Sequence, residues 1–162
     1  MALPDFTIHS LGVGGGVLAI SPIPGRSRHY QADWDRLLAW NPACVISLTT
    51  TAELQRKGAG SLGQDLANAG ISWMHLPIAD MGVPDRFDWP DLRDRVCGLL
   101  QNKGRVLVHC YGGCGRSGML ALRLMIAAGE APDMALERLR GARPCAIETD
   151  EQMAWARQDA TA

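Results

Sequence analysis

No apolar run in this 162-residue chain is long enough to span a bilayer, and Met1 to Ser10 lacks the charged-then-apolar order of a signal peptide. Both absences lead us to expect a cytoplasmic protein with no membrane partner. An excess of charge is also missing. Sixteen Lys and Arg stand against 17 Asp and Glu, a net of -1, which offers no general attraction to nucleic acid. The cysteines, at 44, 97, 110, 114 and 145, are odd in number and lack the paired spacing of a zinc site or a disulfide framework. We expect free thiols in a reducing compartment, with Cys44 and Cys97, in apolar segments, as core residues. The length suits a single domain over residues 1–162, with one core and one active site.

What is present is concentrated between Val106 and Gly118. The β-branched run Arg105 to Val108 follows the turn signal Asn102-Lys103-Gly104, which predicts a buried strand. From Met119 to Ala128 strong helix formers run up to Gly129, which predicts a helix. Between them, glycines at 112, 113 and 115 permit positive φ. The amides of Tyr111, Gly112, Gly113, Cys114, Gly115 and Arg116 can then turn inward as a nest of donors for a tetrahedral oxyanion. Arg116 adds a planar fork that can hold two phosphate oxygens at once. The same positive surroundings suit a thiolate nucleophile at Cys110, beneath the phosphorus of a bound ester. Ser117 could donate to that sulfur when it leaves. Cys114, inside the loop, could trap an oxidised Cys110 as an intraloop disulfide. A buried cysteine beside a turn would account for Cys110 alone, but not for Arg116 six residues on with glycines between.

Elsewhere the sequence reads as scaffold. The glycines from Gly12 to Gly16 invite a nucleotide-binding reading, but they precede a strand-like run that meets Pro22 and Pro24, so a hairpin turn is expected. Trp34, Leu37, Leu38 and Trp40 recur at helical spacing up to Asn41-Pro42, predicting a core-facing helix. Cys44 to Leu48 predicts a buried strand, followed by a short helix led by Glu53 and Leu54. Gln64 to Ala69 reads as a helix closing on Gly70, and Ile71 to Leu76 as the next strand. This βαβα order predicts an α/β fold, a single domain with a central, mostly parallel sheet flanked by helices on both faces. Ligands in such sheets lie beyond the carboxyl ends of the strands, where residues 110–116 and the segment after Leu76 both fall.

The nonapeptide HCYGGCGRS, of the form His-Cys-x5-Arg-Ser, resembles the signature loop of cysteine-based protein phosphatases, most closely the dual-specificity branch. Together with HLPIADMGVPD, LAISPIPG and AIETDEQ it is similar to the cyclin-dependent kinase-associated phosphatases, a likeness that touches most of the chain. The resemblance implies a dual-specificity phosphatase-like domain. It also implies hydrolysis of phosphomonoesters without metal or cofactor, on a phosphoprotein or phosphopeptide, through a phosphocysteine intermediate.

Expelling the alkoxide needs a proton donor, and Asp80, Asp85 and Asp91 compete for that role. Trp89-Pro90-Asp91 resembles the general-acid motif of classical tyrosine phosphatases. Asp91, however, precedes the helical pattern Leu92, Val96, Leu99 and Leu100, so it is expected to help begin that helix. Asp80 follows a strand directly and matches the PIAD of the kinase-associated family, which makes it the first choice and Asp85 the second. His109 either orients the loop and tunes the sulfur or is structural.

Pro132 to Arg140, with Met134, Ala135, Leu136 and Leu139 at helical spacing, predicts a helix capped by Gly141. Thr149 and Gln152 have the spacing of a capping box. By resemblance, AIETDEQ implies the loop that orients the hydrolytic water, with Gln152 as the residue that carries over. Glu148 stands where the family usually has glutamine. The expected function is protein tyrosine and/or serine/threonine phosphatase; the alternative is a catalytically silent module that captures phosphopeptides. The loop holds no lysine, which weakens a phosphoinositide reading.

Overall fold

The computed structural model describes residues 6–158; residues 1–5, part of the stretch inspected for a signal peptide, lie outside the described residues. The chain opens with a hairpin of β1 (His9–Val13) and β2 (Gly16–Ser21), then α1 (Tyr30–Trp40) and β3 (Cys44–Ser47). Next come α2 (Thr51–Arg56), α3 (Leu62–Asn68), β4 (Ser72–His75), α4 (Trp89–Gln101) and β5 (Arg105–His109). Three helices close it: α5 (Gly115–Ala127), α6 (Pro132–Ala142) and α7 (Asp150–Ala156). The expected hairpin turn is there, with Gly14 at φ 60° and Gly15 at φ 95°, the pair of positive angles that a two-residue turn between twisted strands requires.

The sheet has the order β1-β2-β5-β3-β4; only the β1/β2 pair is antiparallel, so the mostly parallel sheet holds. Side-chain alternation builds two apolar layers from the same strands. Leu18, Ile20, Cys44, Ile46, Val106 and Val108 face the core shared with α4 to α7. Ala19, Val45 and Leu107 face the one shared with α1 and α3. Because β5 lies between β2 and β3, the strand order reverses there, and a loop leaving its carboxyl end meets the ends of both neighbours. No helix among the described residues is long and apolar enough to cross a membrane.

Several local expectations change. In α1 only Asp33 and Leu37 are buried, while Leu38 is 39% exposed and Trp34 and Trp40 pack half-buried against the second core. Helix α6 runs through Gly141 to Ala142 and ends at Arg143, whose side chain has partners in the loop after β5. Met134 projects to solvent, leaving Ala135 and Leu139 as the buried face. Cys97 is half-buried rather than core, whereas Cys44 is buried.

Candidate active site

The chain leaves β5 at His109 and passes through Cys110, Tyr111, Gly112 and Gly113 to Cys114, the residue before α5. The predicted loop is shorter than expected, because Gly115, Arg116, Ser117 and Gly118 already belong to the helix. Neighbouring strand ends brace it: Ile23 N–H donates to the Tyr111 carbonyl and Leu48 N–H to the His109 carbonyl, both at 3.0 Å. The backbone amides of residues 111–116 donate to no acceptor among the described residues. A cluster of unspent donors in a braced, largely buried turn is the arrangement that receives an oxyanion.

Of the loop glycines, Gly113 alone takes positive φ, at 72°. Gly115 is glycine for another reason: a Cβ there would stand 2.4 Å from Glu148 Oε1 and 2.9 Å from Gln152 Oε1. Gly118 likewise admits Ile147, whose nitrogen would be 2.7 Å from an added Cβ. The face of the first turn of α5 that carries Gly115 and Gly118 is thus kept bare so that residues 146–152 can lie against it.

Cys110 is buried, with its Sγ 3.2 Å from Ser117 Oγ, so the serine can donate to the sulfur as expected. Behind it His109 is fully enclosed. Trp73 Nε1 donates to Ser47 Oγ at 2.8 Å, which leaves the Ser47 proton for His109 Nε2 at 2.6 Å. His109 therefore carries its proton on Nδ1 and donates to the Cys110 carbonyl at 3.2 Å. Burial pushes the His109 imidazole down to about 4, which keeps it neutral in this chain of bonds.

Arg116 is buried and held by Glu53, which the local sequence marks only as the lead of a short helix. Its Nη1 and Nη2 donate at 2.8 Å to Glu53 Oε1 and Oε2, and Nη1 also donates at 2.8 Å to the Ile78 carbonyl. Glu53 is fixed by a capping box, Thr50 N–H donating to its Oε1 at 3.0 Å while Glu53 N–H donates to Thr50 Oγ1 at 3.2 Å. The Thr-x-x-Glu spacing was the available signal; nothing local said that the carboxylate also faces an arginine 63 residues on. The Arg116 hydrogen bonds hold the Glu53 carboxyl down at about 2. Burial opposes the Arg116 charge, but Glu53, Cys110 and Asp80 together hold its guanidinium more firmly protonated than usual. The edge formed by Nε and the second Nη2 hydrogen is the part of the fork that neither Glu53 nor the Ile78 carbonyl takes, and Asp80 Oδ1 stands beside it, 3.3 Å from Nη2.

The three candidate acids separate clearly. Asp80 has Oδ1 3.3 Å from Arg116 Nη2, accepts from Met81 N–H at 3.0 Å, and is otherwise exposed. Asp85 lines a cavity of about 280 Å³ with Pro77, Ile78, Phe87 and Trp155, beside the loop that carries Asp80. Asp91 lies in the first turn of α4, exposed and 3.8 Å from Arg95, and the cap itself is Asp88, which accepts from Asp91 N–H. Gln152 is buried and its amide is already engaged. Its Oε1 accepts from the amides of Glu148 and Thr149, and its Nε2 donates to the Gly82 carbonyl at 3.2 Å. It thereby links the Asp80 loop to the helix that packs on α5.

Cysteine pairing departs from expectation. Cys114 and Cys145 form a disulfide across 31 residues, so neither is a free thiol and Cys114 is not held in reserve for Cys110. The cause is the return of the chain after α6: Arg143 Nε and Nη2 donate to the Gly113 and Gly112 carbonyls at 3.0 and 2.9 Å, and Ile147 N–H to the Cys114 carbonyl at 3.1 Å. Such tertiary return is invisible in cysteine spacing.

Comparison with known proteins agrees with this geometry. The chain is 31% identical over 128 residues to cyclin-dependent kinase inhibitor 3 of Homo sapiens, covering 77% of this chain but spanning only 60% of that relative. It superposes with a TM-score of 0.83 and 26% identity on a crystal structure of kinase associated phosphatase (KAP) whose catalytic-site cysteine is replaced by serine, covering 96% of this chain and 94% of that one. The active form of Tk-PTP gives 0.72 and 28%, with 91% and 92% covered. A family model described as Cyclin-dependent kinase inhibitor 3 (CDKN3) matches residues 16–136, and the chain belongs to that family.

Proposed function

We propose that this chain is a phosphatase of the Cys-x5-Arg type, a single catalytic domain over residues 1–162 that acts on phosphoprotein or phosphopeptide substrates in the cytoplasm. The amides of 111–116 and the free edge of Arg116 hold the equatorial oxygens. Cys110 Sγ attacks phosphorus, the bond to the leaving oxygen breaks, and Asp80 gives that oxygen its proton. Asp80, now a carboxylate, takes a proton from the water that attacks the phosphocysteine, and Ser117 donates to the departing sulfur. His109 and Glu53 position these groups, the first through the Cys110 carbonyl and the second through Arg116.

One observation carries the reading: a buried guanidinium and six amides without an acceptor among the described residues surround the turn that bears Cys110. Rapid mixing with p-nitrophenyl phosphate should give a burst of nitrophenol that is absent in Cys110→Ser. Asp80→Asn should slow esters of poor leaving groups far more than activated ones. Equal turnover by wild type and Cys110→Ser would refute the mechanism.

A further inference from the structure

The charge around the loop does not come from the loop alone. Residues 109–118 contain no lysine, yet Arg26, after β2, and Lys57, at the end of α2, reach it from outside. The Arg26 guanidinium carbon lies 5.4 Å from the centroid of the Tyr111 ring, and Lys57 Nζ lies 5.3 Å from it. Arg26 Nη1 is also 3.6 Å from where a Cβ on Gly112 would stand, two residues past the nucleophile. Among the described residues neither cation has a carboxylate within ion-pair distance. Glu53, four residues before Lys57 on the same helix, is turned inward to Arg116. The electron-rich ring offsets part of this charge. It cannot replace a counter-ion.

We infer that Arg26, Lys57 and Tyr111 form a second anion subsite, and that the preferred substrates are acidic phosphopeptides with Asp or Glu close to the phosphorylated residue. The inference rests on the phosphatase reading above. An extended chain advances about 3.3 Å per residue, so a carboxylate one to three positions from the phosphorylated residue can reach cations at the loop rim. Two singly charged groups on the rim suit a peptide carboxylate better than a multiply phosphorylated ring, which would call for cations inside the loop beyond Arg116.

The test compares two phosphopeptides that differ only in flanking Glu or Lys, after wild-type turnover of p-nitrophenyl phosphate, with Cys110→Ser as blank, has established the reaction. Absence of that turnover overturns the phosphatase reading and the subsite with it. Given turnover, kcat/KM should favour the Glu peptide by about five- to tenfold at low salt, chiefly through KM. The gap should close near about 0.5 M salt. The double variant R26E/K57E should prefer the Lys peptide, an inversion that a misfolded protein cannot produce. Equal kcat/KM for the two peptides in wild type, an unchanged preference in R26E/K57E, or faster turnover of an inositol bisphosphate than of either peptide would overturn the inference.

Discussion

Helix α5 carries two buried arginines seven residues apart, and they are held in opposite ways. Arg116, in the first turn, is clamped by the Glu53 carboxylate and the Ile78 carbonyl, and its charge is reinforced. Arg123, two turns on, lies in the corner formed by the edge-to-face indoles of Trp89 and Trp155, with its guanidinium carbon 4.2 and 4.4 Å from the ring centroids. Its Nε has no hydrogen-bond partner among the described residues, and burial lowers its affinity for the proton. A carboxylate grips one end of a guanidinium and leaves another edge able to donate; two indoles set edge to face, 77° apart, pack against it and offer it no anionic acceptor. Burial is common to both, so it is the partner that separates a binding arginine from a packing one.

The contrast can be broken at several points. Arg116→Lys, which removes the fork but keeps a cation, should lower kcat for an aryl phosphate by about a hundredfold or more, while Arg123→Lys should leave kcat close to wild type; steady-state kinetics on both decide it. Arg116→Met strands a buried Glu53 and should cost about 3–5 kcal/mol in denaturant melts, most of it recovered on adding Glu53→Gln. The Cys114–Cys145 bridge ties down the Arg116 end of α5 only. Its reduction should cost about 3–4 kcal/mol, and Cys145→Ser should reproduce the loss and make further reductant without effect.

Acid sharpens the difference in a smaller way. The Glu53 carboxyl ordinarily titrates at 4.5 and is held at about 2 in the fold. Its contribution to stability is therefore complete above 4.5 and is lost as pH falls toward about 2. Glu53→Gln should flatten that limb of a stability–pH curve, and no substitution at Arg123 should. The smallest effect belongs to Arg123→Met, which leaves no carboxylate unpaired and should stay within about 1 kcal/mol of wild type by thermal melting.

The sheet, the hairpin, the β5 strand and the placement of Asp80 at the sheet's carboxyl edge were legible because each is encoded within a few residues: alternation, turn glycines, a loop directly after a strand. The same holds for Cys110, Ser117 and Arg116, which adjacency in the chain brings together. Glu53 and Arg143 were not legible as loop partners, because their contacts cross 63 and 30 residues and no local pattern records what a capped carboxylate or a helix-ending arginine will face. Gly115 answers a need for space beside Glu148 and Gln152 rather than for backbone freedom, a distinction that only tertiary packing makes. The disulfide was missed for the same reason.

Trp73 stands on the outermost strand, Ser47 on the next and His109 on the one after, and a single line of hydrogen bonds joins them to the peptide of Cys110. Loss of the Ser47 hydroxyl would strand an indole on one side and an imidazole on the other. Mutational drift at the rim of the sheet is thereby constrained by chemistry two strands away, and that rim becomes a remote place from which the nucleophile can be disturbed.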